Sequence, residues 1–410
     1  MRRLALSLLA GAALAGVVSS GEAQAAAEAR EEWTLVDSLP IALGTIPWET
    51  SVALRADTIY AAANIVSADS GRSVRGRSLA LHRRPGAPMP LPPGDFMFAF
   101  AHGVIDRQGS YHLFWGESSD TIENPHPGPN YDVATLWHSV YSVGGWSKPA
   151  VVFSARRISW AGEPATITLD DRGRLHLAAP AWDSISSSRV IHARRDSGGW
   201  SITHIPGITA AYVTLLPGRS DTVSMVVSGA YRDFPSVFPH FQRNRLGILH
   251  SFNAGRSWGA PVLLEGLTSL EVYDLHGSVD GTGAMHLLWK GISDSSVVAR
   301  VERFVSRDRG TNWSLAESLE FDGMMRLHQF AVGRCGVQMA ATVMRDEYPA
   351  LFSRPVVSSR HLRDRLSVRS AAVAAEGASV VLSVLAFGPG VGDHSWLLLK
   401  RNGCAVDGVR

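Results

Sequence analysis

The 410-residue chain has very little lysine and very little cysteine. Lys148, Lys290 and Lys400 are its only lysines, so almost all of its basic side chains are arginine. The formal net charge is +2, and the densest basic cluster (Arg360, Arg363, Arg365, Arg369) is interrupted by Asp364. A nucleic-acid surface needs a larger patch. The cluster reads as a solvated edge, and no nucleic-acid partner is expected. After residue 25 no apolar run is long enough to cross a bilayer, which excludes a membrane-spanning helix. A glycine-rich phosphate loop, Cys/His metal spacing and a G-x-S-x-G elbow are all missing. No cofactor and no metal are expected.

The first 25 residues have a different character. Arg2 and Arg3 precede an apolar run from Leu4 to Val18, and the stretch ends at Ala23-Gln24-Ala25. That pattern reads as a secretory signal peptide. It predicts a secreted or periplasmic protein, with residues 26–32 a short N-terminal segment. Cys335 and Cys404 then form an even pair in an exported chain. A disulfide and two separate buried thiols fit equally.

A repeat dominates the remainder. SRDRGTNW runs from Ser306 to Trp313, and SFNAGRSW from Ser251 to Trp258. Each suits a tight turn between antiparallel strands. Asp308 or Asn253 folds back onto backbone N–H groups, Gly310 or Gly255 takes a positive φ, and Ser306 or Ser251 adds a local bond. Trp313 and Trp258 open the next strand. Trp146 and Trp200 also follow small-residue turns, and Trp146, Trp200, Trp258 and Trp313 are 54, 58 and 55 residues apart. Trp33 lies about two such steps upstream of Trp146. A fixed period of this size signals a repeat architecture.

Other series share the period. DRQGSYHLFW (106–115), DRGRLHLAAPAW (171–182) and DGTGAMHLLW (280–289) each place a turn before an apolar strand bearing His112, His176 or His286. TLWHSVYS, RVIHARRD, GILHSFNA and ARVERFVS follow as third strands. Four antiparallel strands per period make a propeller blade. The prediction is an all-β propeller over residues 33–405, a single domain of seven four-stranded blades, with six the alternative. Fourth strands should begin near 33, 89, 146, 200, 258, 313 and 368. The strand after Trp33 should close the ring by pairing beside 395–403, which removes two sheet edges.

The boxes at 251–258 and 306–313 resemble those of the sialidase-like, Asp-box (bacterial neuraminidase repeat) propeller superfamily. The resemblance implies structural box turns on the face opposite the binding site. It also implies a possible glycoside hydrolase with an arginine clamp for a sugar carboxylate, a Glu–Tyr nucleophile pair and an Asp acid/base. The family's first clamp arginine lies in an Arg-Ile-Pro motif, where this chain has Thr45-Ile46-Pro47. That departure argues against full sialidase chemistry. Asp69 lies about where the family's acid/base falls. Glu271 and Tyr273 could form the Glu–Tyr pair, since residues two apart on a strand share a face.

In a propeller, the loops entering inner strands and those joining second to third strands converge on one mouth. They offer Glu49, His102, Glu163, Tyr231, Arg232, Asp233, His276, Arg326 and His328 as candidate ligand-binding residues. The segment 229–244, GAYRDFPSVFPHFQRN, carries four aromatic rings suited to stacking on sugars. The expected partner is a carbohydrate or cell-envelope ligand, and the expected state is a monomer. A propeller that binds or hydrolyses glycans is the first reading. A non-catalytic scaffold for a protein or envelope partner is the second. A lyase or esterase using His and Tyr at the mouth is the third.

Overall fold

The computed structural model describes residues 33–41, 45–67, 77–85, 89–94, 98–118, 133–158, 166–184, 187–205, 208, 210, 212–228, 246–264, 271–292, 298–322, 325–334, 336–345, 348–354, 367–387 and 394–402. The expected signal peptide, both cysteines and the segment 229–244 lie outside them.

Every element among the described residues is a strand. The first, β1 (Thr34–Pro40), precedes the repeats. The first repeat is β2 (Thr45–Arg55), β3 (Thr58–Ser67) and β4 (Arg77–Arg84). The second is β5 (Phe98–Ile105), β6 (Tyr111–Ser118), β7 (Val133–Ser142), β8 (Gly145–Trp146) and β9 (Ala150–Ile158). The third is β10 (Thr166–Leu169), β11 (Leu175–Ser184), β12 (Ser187–Asp196) and β13 (Gly199–Ile205). The fourth is β14 (Val213–Pro217), β15 (Val223–Ser228), β16 (Leu246–Ser251) and β17 (Val262–Leu264). The fifth is β18 (Glu271–Val279), β19 (Met285–Ile292), β20 (Val298–Ser306) and β21 (Ser314–Asp322). The sixth is β22 (Met325–Gly333), β23 (Gly336–Arg345) and β24 (Tyr348–Arg354). The last is β25 (Ser367–Glu376), β26 (Ser379–Phe387) and β27 (His394–Asn402).

Hydrogen bonds join these strands into six antiparallel sheets. One sheet has nine strands because β9 and β11 pair briefly, Ile158 opposite Ala181 and Arg157 opposite Trp182, which bridges the second and third repeats. The innermost strands touch in the order β25, β2, β5, β10, β14, β18, β22 and back to β25. The six sheets therefore carry seven innermost strands around one channel. β1 closes the ring on β27, with Ser38 opposite Leu397, and Trp33 joins Leu397 in one apolar cluster.

Alternation explains why the strands read as nearly continuous apolar runs. On β3, Ile59, Ala61 and Ala63 enter one cluster while Tyr60 and Ala62 enter another. On β26, Val380, Leu382 and Val384 face one neighbour while Val381 and Leu385 face the other. Each blade is buried on both faces, so both registers must be apolar. Trp115 and Trp289 are fully buried, and Trp289 stacks on Phe304 with centroids 4.3 Å apart. Each such side chain contributes about 2–3 kcal/mol by burial.

Three expectations about the outer strands need correction. Residues near 368 do not open a fourth strand; they form β25, the innermost strand of the last repeat. Near 89 the described chain bonds through Met89 N–H to Leu81 O and through Pro90 O to Trp146 Nε1, and it forms no fourth strand. Trp258 precedes β17 by several residues and Trp313 lies just before β21, so these rings stand in the turns. The four repeat tryptophans are half-buried. Trp146 packs on Tyr111 and Tyr141 of its own repeat, whereas Trp200 and Trp258 pack edge-on against the preceding blade. Trp200 meets His138 at 5.3 Å and Trp258 meets His192 at 5.1 Å, both T-shaped. The tryptophan and third-strand histidine series thus interlock from blade to blade.

Candidate functional site

The channel has two chemically different ends. Turns joining first to second and third to fourth strands lie at one end. The entering ends of the inner strands lie at the other.

At the turn end, carboxylates and imidazoles satisfy each other. Asp106 Oδ1 accepts from the N–H groups of Gln108 and Ser110, and its Oδ2 accepts from His112 Nε2 at 3.0 Å. His112 Nδ1 then faces His138 Nε2 at 3.0 Å. The third repeat copies this arrangement: Asp170 Oδ2 to His176 Nε2 at 3.1 Å, and His176 Nδ1 to His192 Nε2 at 3.1 Å. In the fifth, Asp280 holds His286 at 3.1 Å and Arg303 replaces the second imidazole. An acceptor carboxylate requires the proton on Nε2, so the next histidine must donate to Nδ1. Burial works against the Asp170 carboxylate, but bonds from His176 and Arg174 outweigh it and hold its pKa at about 2. Burial, reinforced by Arg195 and His112, pushes His138 down to about 2. Burial, with the charges of His176 and Arg194, pushes His192 to about 3. These rings are neutral structural links.

The two box turns belong to this end. Ser306 Oγ accepts from Gly310 N–H and donates to Asp308 Oδ1, both at 2.8 Å. Asp308 also accepts from the backbone and side chain of Asn312, which hold its pKa at about 2. Asn253 repeats the backbone bond, from Ser257 N–H at 2.9 Å, as its amide oxygen allows. Gly255 has φ +80°, and a Cβ there would lie 2.0 Å from the His192 ring. The box therefore excludes any side chain twice, by backbone conformation and by its contact with the preceding blade.

Within the channel, in a layer a few residues before the inner strands turn, lies a cavity of about 150 Å³ lined by five inner strands and Tyr212. His102 comes from β5, Thr166 from β10, Tyr212 and Thr214 from the start of β14, Asp274 and His276 from β18, and Phe330 from β22. Asp274 pairs with Lys290 at 3.5 Å. His102 Nε2 is buried without a hydrogen-bond partner. Burial and the neighbouring His276 push the His102 pKa down to about 4. Burial also lowers His276, partly offset by Asp274. Among the described residues no group of three or more His, Cys, Asp or Glu could hold a metal ion.

The structure brings His102 and His276 together at this cavity. Glu49, Glu271, Tyr273, Arg326 and His328 were expected in loops before inner strands. They lie inside the entering ends of β2, β18 and β22. The β18–β19 register passes from Val272–Gly291 to Asp274–Lys290, leaving Tyr273 as an extra residue. Asp69, Glu163, Tyr231, Arg232 and Asp233 lie outside the described residues. Sequence reasoning missed Thr166, Tyr212, Thr214 and Phe330, whose apolar or hydroxylic types carry no motif.

No family model matches the chain, and no curated protein sequence matches it. Solved structures do. A protein of unknown function from Dyadobacter fermentans DSM 18053 aligns with a TM-score of 0.50 at 12% identity, over 90% of this chain and 99% of that one. An ulvan lyase described as a new family of polysaccharide lyase aligns at 0.47 and 12%, over 91% and 94%. The intramolecular trans-sialidase from Ruminococcus gnavus aligns at 0.45 and 9%, over 88% and 94%. At such identities the likeness shows the propeller fold alone.

Proposed function

We propose that the chain is an exported glycan-binding propeller that holds its ligand in the channel. The observation that carries this reading is the cavity. Five inner strands direct imidazoles, hydroxyls and an aromatic ring at one space, around a buried His102 nitrogen that the protein itself leaves without a partner. At about 150 Å³ the cavity is smaller than typical sites for small molecules, about 300–1,000 Å³. It suits one substituent of a sugar whose ring lies across the mouth. The N-terminal signal-like segment supports a secreted or periplasmic setting, where such ligands occur. Binding of no glycan at millimolar concentration, on an array of microbial and plant polysaccharides, would overturn the reading.

The second reading, a scaffold without catalysis, draws support from Thr45. It opens β2 where the resembled family has its clamp arginine. Losing one charged hydrogen-bond pair to a desolvated carboxylate costs several kcal/mol, hence orders of magnitude in rate. The purified protein is expected to leave a fluorogenic sialoside intact. Robust release of the fluorophore would restore a sialidase mechanism.

A further inference from the structure

The third-strand histidines mark three successive blade junctions, and one junction differs. In the second repeat His138 sits opposite Ala150 on the outer strand β9, and the turn tryptophan of the next repeat, Trp200, meets it at 5.3 Å. In the third repeat His192 sits opposite Thr203 on β13, and Trp258 meets it at 5.1 Å. The fourth repeat should copy this with His250 and Trp313. Its outer strand β17 is only Val262–Leu264, and the ladder ends with Ile248 opposite Val262, two residues short of His250. Among the described residues no ring contact joins His250 to Trp313. His250 instead stacks beside Phe252, with centroids 6.2 Å apart, and Trp313 donates its indole N–H to Gly310 O at 3.0 Å. Both members of the ring pair are present, and they are held apart.

A pocket of about 370 Å³ occupies this junction, lined by Ile248 and His250 of β16, by β17, and by the second box turn from Gly310 to Trp313. That volume falls within the range of about 300–1,000 Å³ usual for small-molecule sites. The pocket shares no residue with the channel cavity, and none of its lining residues is an acid, a lysine or an arginine. The Trp313 N–H is already bonded, so the indole offers carbon surface. His250 Nδ1 faces Ser224 Oγ at 2.8 Å, which leaves Nε2 as its remaining polar atom, and burial lowers its pKa. Asn312 Nδ2 and Thr311 Oγ1 both donate to Asp308, which leaves Asn312 Oδ1 and the Thr311 lone pairs to accept. Thr311, Asn312 and Val262 are exposed, so the pocket opens to solvent. Phe252, 77% exposed, adds a second ring beside His250.

We propose that this pocket between the fourth and fifth blades is a second binding site, for an uncharged sugar ring. A sugar presents an apolar C–H face and a rim of hydroxyls. Trp313 supplies carbon surface for the face, and Phe252 extends it at the rim. Asn312, Thr311 and His250 supply the hydrogen-bond partners for the hydroxyls. An acidic saccharide would meet no cation among the lining residues, and an uncharged one leaves no charge to desolvate. The short β17 is what makes the space, because a longer outer strand would run alongside His250 as β13 runs alongside His192. The site stands apart from the channel, and either can fail without the other.

The test titrates cello-, xylo-, manno- and malto-oligosaccharides, a uronate oligosaccharide and a proline-rich peptide into the full chain by calorimetry. Three variants separate the two sites. Val262→Arg fills the pocket from an exposed position, Phe252→Ala trims an exposed ring outside the core, and His102→Leu alters the channel cavity. An uncharged oligosaccharide should bind the parent and should still bind His102→Leu. Val262→Arg should weaken it at least about 10-fold, and Phe252→Ala about 2- to 10-fold with an unchanged melting temperature. Binding lost in His102→Leu but kept in Val262→Arg would overturn the pocket and support the channel reading. Binding that neither Val262→Arg nor Phe252→Ala weakens would also overturn the pocket. Preference for the uronate or for the peptide would overturn its assignment to an uncharged sugar. Binding of no saccharide would overturn both sites.

Discussion

The turn end and the cavity within the channel use the same residue types to different effect. His112, His176 and His286 each have a partner on both ring nitrogens. His102 has a buried nitrogen with none. Buried polar groups are nearly always paired. The turn end also holds a buried ring nitrogen without a partner, His192 Nδ1, so the open nitrogen of His102 matters only together with the cavity beside it.

The contrast breaks most visibly at Asp170. Its side chain is fully buried and accepts from two backbone N–H groups, Arg174 and His176. Asp170→Ala is expected to cost about 3–5 kcal/mol, since it strands buried partners of a charged group. Urea denaturation reads this directly, and a loss under 1 kcal/mol would mean the turn end is not the closed network described.

Acid should attack the same end next. His138 and His192 have folded-state pKa values of about 2 and about 3, below the ordinary 6.5. The unfolded chain binds protons that the native rings refuse. Their contribution is fully present above pH 6.5 and is lost as pH falls toward those values. Each ring should contribute a slope of about 1.4 kcal/mol per pH unit below 6.5. Denaturation midpoints from pH 7.5 to 4.5 would show it, and a flat profile would refute the neutral relay.

The smallest effect belongs to the cavity. His102→Leu removes a buried nitrogen that has no partner, so stability should change by less than about 1 kcal/mol. The same change at His176 should cost several times more. Paired thermal melts decide the matter. Equal losses would show that His102 is another structural link.

How legible was this in the sequence? The period of about 55, the boxes and the complementary chain ends placed the propeller and its closure, because turn chemistry and burial on both faces leave strong local patterns. His112, His176 and His286 were readable as repeats, yet their partners His138 and His192 sit on third strands with no turn to mark them. The cavity was half legible. His102 and His276 stood out as an equivalent pair, while Thr166, Thr214 and Phe330 converge only through the ring. The bulges were hidden altogether. A register break is a property of two strands together, and neither strand's residues announce it. The extra residue at Tyr273 is one such break.

The pairing of β1 with β27 also sets a schedule. Residues 34–40 are synthesised first among the described strands, yet their partner at 395–402 is made last. While the chain grows, β1 is an orphan edge, and the apolar face shared by Trp33 and Leu397 stays open until the final blade arrives. Such a distant contact makes folding slow and all-or-none in its last step. A chain halted before β27 would lack the third strand of the last repeat, and would present a free strand to any neighbour in the same condition.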